Sequence, residues 1–221
     1  MPVNYSTSGH EANTLPVSVC VIDQDRAHPV HARAESLEGR LVMAMSFGSK
    51  KGGFERFLAR ASCALAVDRA MKGMNVPKAF SDTCKEARKI CRDNGRSEST
   101  SLLLASIQDG IFEAEWAGEL SIVRIRNGSQ DVLGGPRLWH MHQDGFTTRA
   151  PSFTKRRLEE RDRLIVMSSN LDSSIRKKSY PCSDAPSTSP HECCAGLIHC
   201  ALRERIDHAA LIVADAWSGI L

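Results

Sequence analysis

The stretch Ser101-Leu102-Leu103-Leu104-Ala105-Ser106-Ile107-Gln108-Asp109-Gly110-Ile111-Phe112-Glu113-Ala114-Glu115-Trp116-Ala117-Gly118-Glu119-Leu120-Ser121-Ile122-Val123-Arg124-Ile125-Arg126-Asn127-Gly128 decides the fold. It holds three strand-like runs, 101–107, 111–117 and 120–126, rich in apolar and β-branched side chains. The gaps are Gln108-Asp109-Gly110, Gly118-Glu119 and Asn127-Gly128. Asp-Gly and Asn-Gly supply the positive φ angles of tight hairpin turns. The expectation is an antiparallel meander.

Outward from this core, two helical patterns precede it. Phe54, Phe57, Leu58, Ala61 and Leu65 make one apolar face over 54–72, and Phe80, Cys84, Ala87 and Cys91 make another over 77–93. Pro77 suits the first turn of the second helix, and Asn94-Gly95 ends it. Further upstream, 17–22 and 41–45 read as strands, and 23–40 as a loop or irregular hairpin. Downstream, 137–141 adds an edge strand and 144–162 is polar and basic. Leu164-Ile165-Val166-Met167 is a buried strand. The Ser- and Pro-rich stretch 172–190 reads as a mobile loop, followed by a helix at 191–205 and a strand at 209–214. Strands and helices are segregated rather than alternating, which predicts an α+β fold with antiparallel sheet.

The chain has 221 residues, 42% hydrophobic and 25% charged, which excludes collagen-like, coiled-coil and wholly disordered classes. The expectation is a single domain over 1–221. With 29 Lys plus Arg against 26 Asp plus Glu, the net charge of +3 gives no push toward nucleic acid or a membrane surface. The first residues lack the basic-then-apolar pattern of a signal peptide, so a cytoplasmic location is expected. The eight cysteines are then expected to be free thiols acting as small core residues.

Several short segments carry a further signal in their order: His10-Glu11-Ala12-Asn13-Thr14-Leu15; Met45-Ser46-Phe47-Gly48-Ser49 after the strand 41–44; Gly118-Glu119; Ser168-Ser169-Asn170-Leu171 after a strand; and Asp207-His208 before the last strand. In order and spacing the chain resembles the metal-dependent Ser/Thr protein phosphatases of type 2C. Their motifs run Arg-x-x-Asn-x-Asp, Asp-Gly-x-Gly-Gly, Gly-Asp-Ser, Ser-Asp-Gly-Leu and Asp-Asn-x-Thr. The resemblance implies a four-layer α-β-β-α sandwich of two antiparallel sheets flanked by helices. It also implies a site where aspartates hold two Mn²⁺ or Mg²⁺ ions that activate a water.

On that resemblance the five acidic positions become Leu15, Met45, Glu119, Ser169 and Asp207, and the phosphate-gripping arginine becomes His10. Only Glu119 and Asp207 remain acidic, as weak metal candidates. Met45 stands where a carboxylate bridges both metals, and a soft thioether is no ligand for a hard cation. The resemblance with these losses implies a pseudophosphatase with no expected cofactor, acting by binding a phosphoprotein or another partner protein. The alternative is a divergent, weakly active Ser/Thr phosphatase using Mn²⁺ or Mg²⁺ with Glu119, Asp207 and His10.

Two other constellations compete. His191, Cys193, Cys194, His199 and Cys200 hint at a zinc-stabilised interaction domain, although paired Cys-x-x-Cys spacing is absent and Cys182, Asp184 or His208 would have to complete the site. Gly48-Ser49-Lys50-Lys51-Gly52-Gly53 ahead of a helix offers Ser49, Lys50 and Lys51 as phosphate contacts, without matching a Walker motif. Lys155-Arg156-Arg157 and Arg176-Lys177-Lys178 are basic patches suited to solvent or to an acidic partner. No cysteine starts a Cys-x5-Arg run, so tyrosine-phosphatase chemistry is not expected.

Overall fold

A computed structural model describes residues 3–8, 15–23, 29–48, 53–98, 100–136, 141–142, 145–146, 151–176 and 188–216. In chain order the elements are β1 (Val3–Ser8), β2 (Val17–Asp23), β3 (Val30–Leu37), β4 (Arg40–Gly48), α1 (Gly53–Met71), α2 (Val76–Asp93), β5 (Thr100–Gln108), β6 (Ile111–Ala117), β7 (Leu120–Arg126), β8 (Ser129–Gly134), β9 (Met141–His142), β10 (Gly145–Phe146), β11 (Ser152–Arg157), β12 (Arg163–Ser168), α3 (Ser169–Arg176), α4 (Pro190–Arg203) and β13 (His208–Asp215).

Two antiparallel sheets form. The first, sheet A, has the order β1-β2-β13-β12-β7-β8. The second, sheet B, runs β11-β6-β5-β4-β3, with the short β9–β10 pair joined at Thr100 of β5. Alternate side chains of both sheets meet in one inter-sheet core, including Val19, Ile122, Val166 and Ile212 from sheet A and Met43, Met45, Leu103 and Phe112 from sheet B. The outer face of sheet A packs Ile165, Met167 and Leu211 against α3 and α4. The outer face of sheet B packs Val42, Leu102 and Leu104 against α1 and α2. The α-β-β-α sandwich is therefore the observed architecture, held by three apolar layers.

The helices start where capping chemistry allows. The Asn75 side chain accepts the Lys78 N–H at 2.9 Å, with proline in the first turn of α2. Ser189 and Glu192 form a capping box ahead of α4. Such caps contribute about 1 kcal/mol each.

Four expectations change. The hairpins β5–β6 and β7–β8 form, turning at Asp109-Gly110 and Asn127-Gly128, where both residues of each pair have positive φ. Gly118-Glu119 is no hairpin, however: β6 belongs to sheet B and β7 to sheet A, so the chain changes sheets there and the meander is broken. Only Gly118 of that pair has positive φ, so the pair is no type I′ turn like the other two.

Residues 30–37, read as part of a loop or irregular hairpin, form the edge strand β3 paired with β4. Val30, Ala32 and Ala34 do alternate with His31, Arg33 and Glu35, but alanine makes the apolar half of the period faint. The stretch read as a mobile loop from 172 begins inside α3. Its residues 177–187 lie outside the described residues, as do 137–140 of the expected edge strand. Finally, the expectation of eight free thiols fails at Cys193, which is disulfide-bonded, because pairing depends on spatial approach that sequence spacing does not reveal. Cys20, Cys63, Cys84, Cys91, Cys194 and Cys200 are free.

Candidate functional site

The strand register gives the sandwich two distinct ends. At the near end lie the C-terminal residues of β4, the first residues of β3 and β5, the Gly118-Glu119 crossover, the β12–α3 junction and the first residues of β13. The far end holds the last residues of β13 and the first of β12. There Arg163 forks onto Asp215 at 2.6 and 2.9 Å, and Arg126 onto the fully buried Asp162 at 2.7 and 2.6 Å.

The near end collects most of the expected site. The Ser169 N–H donates to the Glu119 carbonyl at 3.1 Å, so the crossover and the β12–α3 junction are joined. Asn170 Nδ2 donates to the His208 carbonyl at 2.7 Å, and the Asp207 carboxylate lies 2.6 Å from His208 Nδ1. Met45 enters from sheet B, three residues before the end of β4, with no solvent exposure. Glu119 is exposed, and Ser169 and Asp207 are half-buried.

Leu15 does not belong with them. Its N–H donates to Ser36 Oγ at 3.0 Å, and the neighbouring Pro16 carbonyl accepts the Asp215 N–H at 3.1 Å. That places Leu15 at the far end, where it packs in the inter-sheet core. Asp207 and Asp215 are eight residues apart along an extended strand, so about 25 Å separates the two ends. The strand facing Met45 is instead β3, with Ala32 directly opposite and Val30 and His31 toward the near end. None of these is acidic. The chain between β2 and β3 carries Arg26, five residues before His31, which is the Arg-to-Asp spacing of the first family motif. Arg26, His10, Ser49, Lys50 and Lys51 all lie outside the described residues.

Buried carboxylates at the near end are Asp172, whose Oδ2 accepts from Ser121 Oγ at 2.8 Å, and Glu55 beside Gly48; buried hydroxyls join them. Ser46 Oγ lies 2.7 Å from Thr100 Oγ1 and 2.8 Å from the Ser101 carbonyl, and Thr100 Oγ1 donates to the Phe47 carbonyl at 2.7 Å. Both hydroxyls are thus engaged with backbone and each other. Two glycines hold the backbones close. A Cβ on Gly48 would meet Pro29 Cγ at 2.4 Å, and one on Gly118 would meet Ser101 Oγ at 2.0 Å. Sequence reasoning passed over Thr100 and Ser101. Their signal was only the polar start of an otherwise apolar strand.

Do these residues suit a divalent metal pair? The one orphaned buried polar atom among the described inner-face residues of β12, Ser168 Oγ, is neutral. No group of three or more His, Cys, Asp or Glu side chains able to hold a metal ion occurs among the described residues. The donor set of the described residues therefore does not fit a two-metal cluster. The zinc constellation is dispersed as well: Cys193 is disulfide-bonded, and Cys194 is buried in the layer that holds Cys20 of β2. A hydrogen bond from Cys194 and one from the Val21 backbone hold the Cys20 thiol below its ordinary range, while the same contact and burial push Cys194 up.

No protein-family model matches the chain, and no curated protein matches it. Solved structures do share its fold. The catalytic domain of the serine/threonine protein phosphatase PstP, in complex with two manganese ions, superposes with a TM-score of 0.71 at 15% identity, over 96% of this chain and 97% of that one. RsbX in complex with magnesium gives 0.68 at 13% identity, over 95% and 99%. The type 2C phosphatase domain of SpoIIE from Bacillus subtilis gives 0.67 at 14% identity, over 97% and 70%. The chain thus has the type 2C phosphatase fold. No helix among the described residues is long and apolar enough to cross a membrane.

Proposed function

We propose that this chain is a pseudophosphatase: a single type-2C-like domain over 1–221 that lacks two-metal chemistry and works in the cytoplasm by binding a phosphoprotein or partner protein. Met45 carries this reading. It is a fully buried thioether at the position where the resemblance expects the carboxylate shared by both metals, and it extends the inter-sheet core toward the near end. Hard cations need several oxygen ligands, preferably anionic. Glu119, exposed, and Asp207, paired with His208, are the only acidic survivors of the expected set.

The binding surface is the near end itself. In sequence, Arg26 follows β2, and Ser49, Lys50 and Lys51 follow β4, two strands that end at the near end; in this reading they are its phosphate contacts. Cationic loops beside a helix start suit a phosphate group. His10 is a further phosphate contact in this reading.

The test pairs an activity assay with a binding assay. The purified chain is incubated with Mn²⁺ and with Mg²⁺ against p-nitrophenyl phosphate and a phosphothreonine peptide. No metal-dependent turnover is expected. The phosphothreonine peptide is expected to bind in the presence of a chelator, and a Lys50→Glu/Lys51→Glu variant to bind it more weakly. Mn²⁺-dependent turnover that disappears in Asp207→Asn overturns the reading in favour of a weakly active phosphatase.

A further inference from the structure

The far end carries a cavity that the near-end function does not use. It has a volume of about 300 Å³ and opens on the outer face of sheet B, between the α1–α2 connection and strands β5, β6 and β11. Arg40, Asn75, Ser106, Gln108, Glu113 and Lys155 line it, with Met74, Val76 and Ile111 as apolar walls. Sites for small ligands typically combine such apolar walls with a few convergent polar groups.

Three features of the lining point to an anion. Ser106 is only 6% exposed and its side chain lines the cavity. Arg40 donates from Nη2 to the Met74 carbonyl at 3.2 Å, but its buried Nε has no partner. Lys155 and Glu113 neutralise each other at 2.5 Å, and Asp109 sits exposed in the β5–β6 turn, so among the described residues no carboxylate forms a direct ion pair with Arg40 in the wall. The N-terminal turn of α2 opens at the same cavity through Asn75 and Val76, and its dipole favours negative charge there. By strand alternation Arg157 shares the face of Lys155, adding a basic rim.

We propose that this cavity is a second ligand site, distinct from the near end, for a small molecule carrying one anionic group, a phosphate monoester or a carboxylate. The anion accepts charge-assisted hydrogen bonds from the Arg40 guanidinium and a hydrogen bond from the Ser106 hydroxyl. The remainder of the ligand lies against Met74, Val76 and Ile111, with Asn75 and Gln108 as polar contacts.

Titrating the ¹⁵N-labelled chain with inorganic phosphate, and separately with acetate, tests this by amide shifts. Saturable shifts are expected at Gly73, Val76, Gln108 and Ile111. Arg40→Gln is expected to weaken the tighter of the two anions at least tenfold, and Ser106→Ala several-fold. Phosphate binding tighter than acetate assigns the phosphate-bearing class, and the reverse assigns the carboxylate class. Shifts confined to near-end residues such as Thr100, Glu119 and Asn170 overturn the site while leaving the near-end reading intact. Affinity unchanged in Arg40→Gln also overturns it. Should Arg40→Gln lose its fold by circular dichroism, Ser106→Ala decides alone, and unchanged affinity there is the refuting result.

Discussion

Replacing Gly118 by alanine is expected to be among the most destabilising single-methyl additions in the chain. The new Cβ would lie 2.0 Å from Ser101 Oγ, 2.2 Å from Ser101 Cβ and 2.9 Å from Ser101 Cα, with φ at +114°. The last contact is to backbone, so a rotamer change of Ser101 cannot relieve everything. Overpacking of this kind costs about 1–3 kcal/mol. Holding a non-glycine residue in a sparsely populated φ region costs about 1–3 kcal/mol more. The expected loss is therefore about 2–6 kcal/mol, read as a fall in the urea midpoint at unchanged slope. A Ser101→Gly background removes the side-chain part of the clash. The double-mutant cycle should then recover much of the packing cost and leave the backbone cost of about 1–3 kcal/mol. A loss below about 1 kcal/mol, or strict additivity with Ser101→Gly, refutes the account of Gly118 as the point of close approach between the crossover and β5.

Two further outcomes can be checked on the same protein. Burial pushes the half-buried Glu115 carboxyl up to about 7. The unfolded chain releases this proton above pH ~4.5 while the folded chain keeps it to about 7, so stability falls across that window and is flat above it. Glu115→Gln should remove this decline and gain about 1–2 kcal/mol at pH 8, discounted for the partial exposure, with little change at pH 4; an equal gain at both pH values would contradict it. Burial also pushes the Cys84 thiol up to about 12 and Cys63 higher still. A thiol reagent at pH 8 should therefore modify the half-exposed Cys200 in the native protein and reach Cys63 and Cys84 only after unfolding, as peptide mapping by mass would show.

Much of the layering was legible from periodicity. The helical face at Phe80, Cys84, Ala87 and Cys91 packs on sheet B, and the unbroken apolar run of Leu164 to Met167 is buried on both faces of sheet A, as expected. Asp109-Gly110 and Asn127-Gly128 were legible for a chemical reason, since both residues of each turn take positive φ. Gly118-Glu119 was not. A two-residue gap between strands reads as a hairpin unless one knows that the flanking strands have different partners, which is tertiary information. Of the candidate positions, Glu119, Ser169 and Asp207 fall together because each abuts an apolar run whose register sets it at one end of the sandwich. Leu15 was misassigned because a motif matched loosely by order carries no information about which end of a strand it occupies. The β3–β4 register sets Ala32, not Leu15, opposite Met45.

The position of β13 has a consequence for how the chain acquires its structure. This strand sits inside sheet A, pairing on one side with β2 and on the other with β12. Cys20 meets Leu211 across nearly the whole length of the chain. Sheet B can assemble from β3 to β6 as each hairpin is synthesised, whereas β2 must wait, unpartnered along one edge, until the last described strand leaves the ribosome. Pairings so distant in sequence slow folding, because loop closure precedes any stabilising contact. Throughout that interval Val19, Val21 and Ile22 form an exposed template for association between chains. The vulnerable species of this protein is thus the nascent chain, and truncation before His208 would make that transient exposure permanent.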